Sequence, residues 1–78
     1  MARYYFDLRD GTELFPDEEG VQLLTLQAAE MEAMRALGGM VQQLEPKAEG
    51  RDMAIEVRNE DGPLFQVALV FAIRRPKH

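Results

Sequence analysis

Apolar and polar residues alternate from Arg3 to Arg9, with Tyr4, Phe6 and Leu8 on one side and Arg3, Tyr5, Asp7 and Arg9 on the other. That period of two predicts a half-buried β-strand. Asp10-Gly11 follows, a dipeptide with easy access to positive φ, and Thr12 to Phe15 can return as a second short strand. Pro16 ends that ladder because it has no amide hydrogen to donate. Asp17-Glu18-Glu19-Gly20 reads as an acidic turn, and Val21 to Leu24 as a third short strand.

The period then changes. Leu26, Ala29, Ala33, Leu37, Met40, Val41 and Leu44 recur at helical spacings, while Gln27, Glu30, Arg35, Gln42 and Gln43 fall largely on the other side. Thr25 is the expected N-cap, its hydroxyl accepting from a first-turn amide. Gly38-Gly39 interrupts the pattern, and each glycine costs about 1 kcal/mol relative to alanine in a helix interior. Either a sheet approaches the backbone closely there or the helix ends; one helix running to about Leu44 and stopped by Pro46 is the favoured reading.

Lys47 to Asp52 is polar, contains Gly50, and reads as a loop. Met53, Ile55 and Val57 then alternate with Ala54, Glu56 and Arg58, Asp61-Gly62 supplies a second hairpin signal, and Leu64 to Ile73 is the longest strand candidate. Phe65, Val67, Leu69, Phe71 and Ile73 make one apolar face of that last strand. The opposite face carries Leu64, Ala68, Val70 and Ala72, with only Gln66 polar. The resulting expectation is a single α+β domain over residues 1–78: an antiparallel sheet of four to five strands in the order β-β-β-α-β-β, with one helix packed on one face. One helix covers one face of a sheet. The second apolar face of the last strand is left to loops and strand ends, or to another copy of the chain, and Leu64, Ala68, Val70 and Ala72 form the expected self-association face.

Length sharpens this. With 78 residues the chain is near the lower limit for a self-sufficient core, hiding only about 60% of its unfolded surface. There is no cysteine, so no disulfide frame, thiolate nucleophile or Cys-based metal site is available, and an intracellular, cytoplasmic location is expected. No apolar run has signal-peptide or membrane-spanning length. The net charge of −5 divides as −4 over residues 1–24, −2 over 25–50 and +1 over 51–78. An acidic chain gains little from counterion release, so neither nucleic acid nor an anionic membrane is an expected partner, despite the aromatic run Tyr4-Tyr5-Phe6. The basic end, Arg74-Arg75-Pro76-Lys77-His78, reads as a solvated tail.

Candidate chemistry is sparse. Serine and cysteine are absent, Thr25 is taken by the helix cap, and the one histidine is the final residue, which removes Ser-His-Asp, Cys-His and His-based metal arrangements. No enzyme and no cofactor is expected. Carboxylates remain: Asp7, Asp10 and Asp17 around Mg²⁺ are the one enzymatic alternative that the residues permit. Met31, Met34 and Met40 are expected to fill the core.

Two resemblances follow from these motifs. Arg3-Tyr4-Tyr5-Phe6-Asp7, Asp10-Gly11, Asp17-Glu18-Glu19-Gly20, the helix start Leu26-Gln27-Ala28-Ala29 with Glu32-Ala33, and the segment from Ile55-Glu56-Val57 to Asp61-Gly62 resemble a family of short uncharacterised proteins of rhizobia and related alphaproteobacteria. That family has no assigned activity and implies kinship only. Phe15-Pro16-Asp17-Glu18-Glu19-Gly20 followed by Thr25-Leu26 is more weakly similar to the N-terminal domain of HicB-type antitoxins. This second likeness implies an antitoxin or adaptor whose acidic turn, Asp17, Glu18 and Glu19, binds a basic protein partner. The chain has no room for the C-terminal DNA-binding module such antitoxins usually carry.

Overall fold

A computed structural model describes residues 1–77; His78, the only histidine, lies outside the described residues. The elements are β1 (Ala2–Asp10), β2 (Glu13–Phe15), β3 (Val21–Leu23), α1 (Leu26–Val41), a short 3-10 turn (Pro46–Ala48), β4 (Asp52–Asn59) and β5 (Gly62–Val70). This is the expected α+β arrangement, an antiparallel five-stranded sheet with one helix.

The sheet order is β2-β1-β4-β5, with β3 also on β1. Leu8 pairs with Phe15 and Tyr4 with Val21, so β2 and β3 are two halves of one outer strand along β1. Between those pairs β1 uses residues 5–7 while the outer chain uses residues 16–20. The surplus bulges out as the Pro16–Gly20 loop. On the other side of β1, Asp7 pairs with Glu56 and Leu8 with Ile55; β4 then pairs with β5 through Ile55–Val67 and Val57–Phe65. The register slips between Val57 and Arg58, leaving Leu64 as an extra residue on β5.

Alternation does what the sequence leads one to expect on the helix side. Tyr4, Ile55 and Val57 meet Ala29 and Ala33 in the buried cluster, with Phe6, Leu8, Leu37, Met40, Phe65 and Val67 packed around it. The two alanines are fully buried, and their small side chains let the helix lie close to the sheet. The helix begins as its cap dictates: Thr25 Oγ1 accepts from the Ala28 amide at 3.0 Å.

Four expectations need correction. The helix ends at Val41, not near Leu44. Pro46 forces Glu45 to extended backbone (φ −116°, ψ 162°), so the chain must leave the helix before it; residues 42–44 unwind through Gln43 N–H to Met40 C=O and Leu44 N–H to Val41 C=O bonds. Gly38-Gly39 lies inside the helix, but no sheet approaches it: a Cβ at either position would meet nothing within 4 Å. The apolar stripe on α1 is wider than the sheet can cover, leaving Leu26, Met31, Met34 and Val41 exposed, so only Met40 of the three methionines joins the core. Finally β5 ends at Val70, although its pairing continues one step: Phe71 N–H donates to Arg51 C=O at 2.9 Å and Phe71 C=O accepts from Gly50 N–H at 2.6 Å. Beyond that, Gly50 at φ +90° turns the opposing chain away.

Candidate functional site

The helix covers one face of the sheet; the other face carries two contrasting regions. The first is polar and closed, and its centre is Asp7, whose outward position on β1 nevertheless leaves it only 6% exposed. From the diagonal position on β4, where it pairs with Tyr5, Arg58 Nε donates to Asp7 Oδ2 at 2.8 Å, and Arg58 Nη2 reaches the Asp17 main-chain oxygen at 3.0 Å. The guanidinium also lies 4.5 Å from the centroid of the Tyr5 ring. Its pKa is raised above the ordinary arginine value, chiefly by the hydrogen bond to Asp7.

Asp17 closes the network from the loop side. Its amide donates to Asp7 Oδ1 at 2.8 Å, while its carboxylate accepts from the amides of Phe6, Glu19 and Gly20, each at 3.1 Å. The Phe6 amide faces the gap between β2 and β3, so the Asp17 carboxylate replaces the strand partner missing there. Desolvation pushes the Asp17 carboxyl upward. The Gly20, Phe6 and Glu19 amides and the charge of Arg58 outweigh it, and its pKa lies below the ordinary carboxylate value. Gly20 is required here: φ is +73°, and a Cβ would sit 2.9 Å from Arg3 Cγ and 3.0 Å from the Tyr4 oxygen.

The second region is apolar and open. A groove of about 340 Å³ runs past Asp7, Glu56, Arg58, Pro63, Leu64 and Gln66, and a neighbouring one of about 470 Å³ past Arg9, Ala54, Gln66, Ala68 and Val70. The expected self-association residues Leu64, Ala68, Val70 and Ala72 are all exposed, Leu64 at 42% and Val70 at 66%. Among the described residues, no other part of the chain folds over them.

The acidic turn divides. Glu18 and Glu19 are exposed, whereas the Asp17 carboxylate points inward and is occupied by three amides. Of the carboxylates considered for Mg²⁺, Asp7 and Asp17 do converge, but Arg58 engages the Asp7 carboxylate and backbone amides engage that of Asp17; Asp10 instead pairs with Arg51. Among the described residues no three His, Asp or Glu side chains are grouped to hold a metal ion. Arg9 pairs with Glu56 at 2.6 Å, and its pKa is raised chiefly by that hydrogen bond. In the basic tail Arg75 lies 3.7 Å from Glu49, while Arg74 and Lys77 are exposed.

Sequence reasoning missed Arg58 as the partner of Asp7. A carboxylate and a guanidinium on the polar positions of two strands were visible, but their juxtaposition depends on the β1–β4 register, which no local signal fixes. The Asp17 turn did have a signal: an aspartate three residues before a glycine can accept from the intervening amides in a local turn.

The arrangement defines a class, a two-layer α+β domain with a latched polar edge and a bare apolar strand at the other edge. No curated protein and no solved structure matches the chain. The chain does belong to the family described as Domain of unknown function (DUF6894), which it matches over residues 3–70. That agrees with the expected kinship to proteins without an assigned activity. Among the described residues, no helix is long and apolar enough to cross a membrane.

Proposed function

We propose that this protein is a small, non-enzymatic interaction module of the cytoplasm that self-associates as a homodimer, with Leu64, Ala68, Val70 and Ala72 in the interface. The observation that carries the reading is the exposure of Leu64 and Val70 on β5, in a segment that has no charged residue from Gly62 to Ile73. The molecule's proportions support it. Its radius of gyration is 14.4 Å, against about 11.5 Å for a compact chain of this length. The non-enzymatic part rests on the absence of serine and cysteine and on the Asp7 and Asp17 carboxylates being engaged by Arg58 and backbone amides. Light scattering on the purified chain at tens of micromolar should give a dimer, and the Leu64→Lys, Val70→Lys double variant a monomer with an unchanged circular dichroism spectrum. A wild-type monomer, or a double variant that still dimerises, would count against the proposal.

A second reading has one observation in its favour: Glu18 and Glu19 project from the loop of a chain with net charge −5, a surface suited to a basic protein partner of the kind HicB-type antitoxins bind. Calorimetry with an oligolysine peptide should then show salt-sensitive binding that Glu18→Lys, Glu19→Lys abolishes. No heat at low salt would end it.

A further inference from the structure

The outer edge of β5 carries information that the apolar face alone does not. In an antiparallel sheet the N–H and C=O of a residue point to the same side, and successive residues alternate. Phe71 shows the phase, since both its main-chain groups bond the chain leading into β4. The β4–β5 register is regular from Val70 back to Phe65, so Phe65, Val67 and Leu69 face β4. Gln66, Ala68 and Val70, and by the alternation continued through Phe71 also Ala72, therefore aim their N–H and C=O groups away from the sheet, where among the described residues no strand lies.

The geometry points to antiparallel pairing of this edge with the same edge of a second copy, which would join the two sheets into one continuous sheet across a two-fold axis. This rests on the self-association reading above and specifies how the two copies meet. Three features favour a second copy as the occupant. The edge is self-complementary: a two-fold pair that centres on Leu69 sets Gln66 against Ala72 and Ala68 against Val70, satisfying every outward group in both copies. Pro63 and the extra residue Leu64 close off the edge at its start, which limits the pairing to that segment. No charge is present from Gly62 to Ile73, so two chains of net charge −5 can meet here without bringing like charges together.

Area agrees. The accessible surface is 5871 Å², about 1,000 Å² more than the roughly 4,800 Å² expected of a compact monomer of this mass. A standard interface removes about 800 Å² from each partner. Part of the excess lies on residues 71–77, and the same pairing covers the first of these. The pairing also keeps the side chains of Leu64, Ala68, Val70 and Ala72 on one face in both copies, so the two apolar stripes merge.

Amide hydrogen exchange by NMR, on a sample whose mass is fixed by sedimentation, tests this without any variant. Expected is a dimer in which the Gln66, Ala68, Val70 and Ala72 amides exchange on the order of 100-fold slower than on dilution to monomer. The Phe65, Val67 and Leu69 amides should be protected in both states. A dimer whose Gln66, Ala68 and Val70 amides exchange at the rates of an open strand would overturn edge pairing and leave face-to-face association standing. A monomer throughout would overturn both.

Discussion

The two edges of this sheet are built from opposite materials. Along β1 the outer strand is broken, and the gap is filled by charge and hydrogen bonding: Asp17 supplies the partner for the Phe6 amide, Arg58 ties Asp7 to the loop, and Gly20 lets the chain press against Arg3 and Tyr5. Natural sheets use such bulges, prolines and charges to blunt an edge against pairing with another chain. Along β5 none of these devices operates between Phe65 and Ala72. One edge is reduced to two short strands pinned by a loop, and the other leaves the outward main-chain groups of a long strand unpaired among the described residues.

Substitutions at the loop-latched edge beside β1 should therefore act on folding, and those at the β5 edge on association. The largest effect is expected at Asp7. Asp7→Ala leaves Arg58 Nε and the Asp17 amide without their acceptor, and should cost about 3 kcal/mol. In a chain of this size, thermal denaturation should then show Tm lowered by at least about 12 °C. Gly20→Ala comes next, because a left-handed φ and contact with the Tyr4 oxygen both penalise a side chain; chemical denaturation should show a loss of about 2 kcal/mol.

Acid should reach the same edge. The Asp17 pKa is lowered in the folded state, so its stabilisation is fully present above the unfolded carboxylate pKa and is lost as pH falls through the folded one. Tm should therefore drop on acidification below about pH 4, and Asp17→Asn should be less stable at neutral pH but show a flatter acid limb. An Asp17→Asn profile parallel to the wild type would remove Asp17 from the latch. On the exposed helix surface, away from both edges, Gly38→Ala should stabilise by about 0.5–1 kcal/mol, since its Cβ meets nothing.

The smallest folding effect belongs to β5. Val70→Lys should change monomer stability by no more than about 0.5 kcal/mol in urea titrations below the dimer concentration, while weakening association. A large loss of monomer stability would mean that Val70 is covered within its own chain, and the contrast between the edges would fail.

Much of this architecture was legible in the chain. Period-two alternation located β1, β4 and β5, Asp10-Gly11 and Asp61-Gly62 located the hairpins, and Thr25 located the helix start, because each of these signals is local. The bare face of Leu64, Ala68, Val70 and Ala72 was also legible, since one helix in 78 residues can cover only one side of a sheet. What escaped depends on distant parts of the chain. Asp7 meets Arg58 only through the β1–β4 register, Asp17 turns inward only because β2 and β3 leave a gap, and Met31 and Met34 remain exposed because the helix stripe is broader than the strands beneath it.

Sedimentation equilibrium of the wild-type chain over a concentration series decides whether two copies associate. The mass should rise with concentration from 8.9 kDa toward twice that value and stop there. A mass that stays at 8.9 kDa up to several hundred micromolar would contradict it, leaving β5 an open edge that this chain does not use on itself.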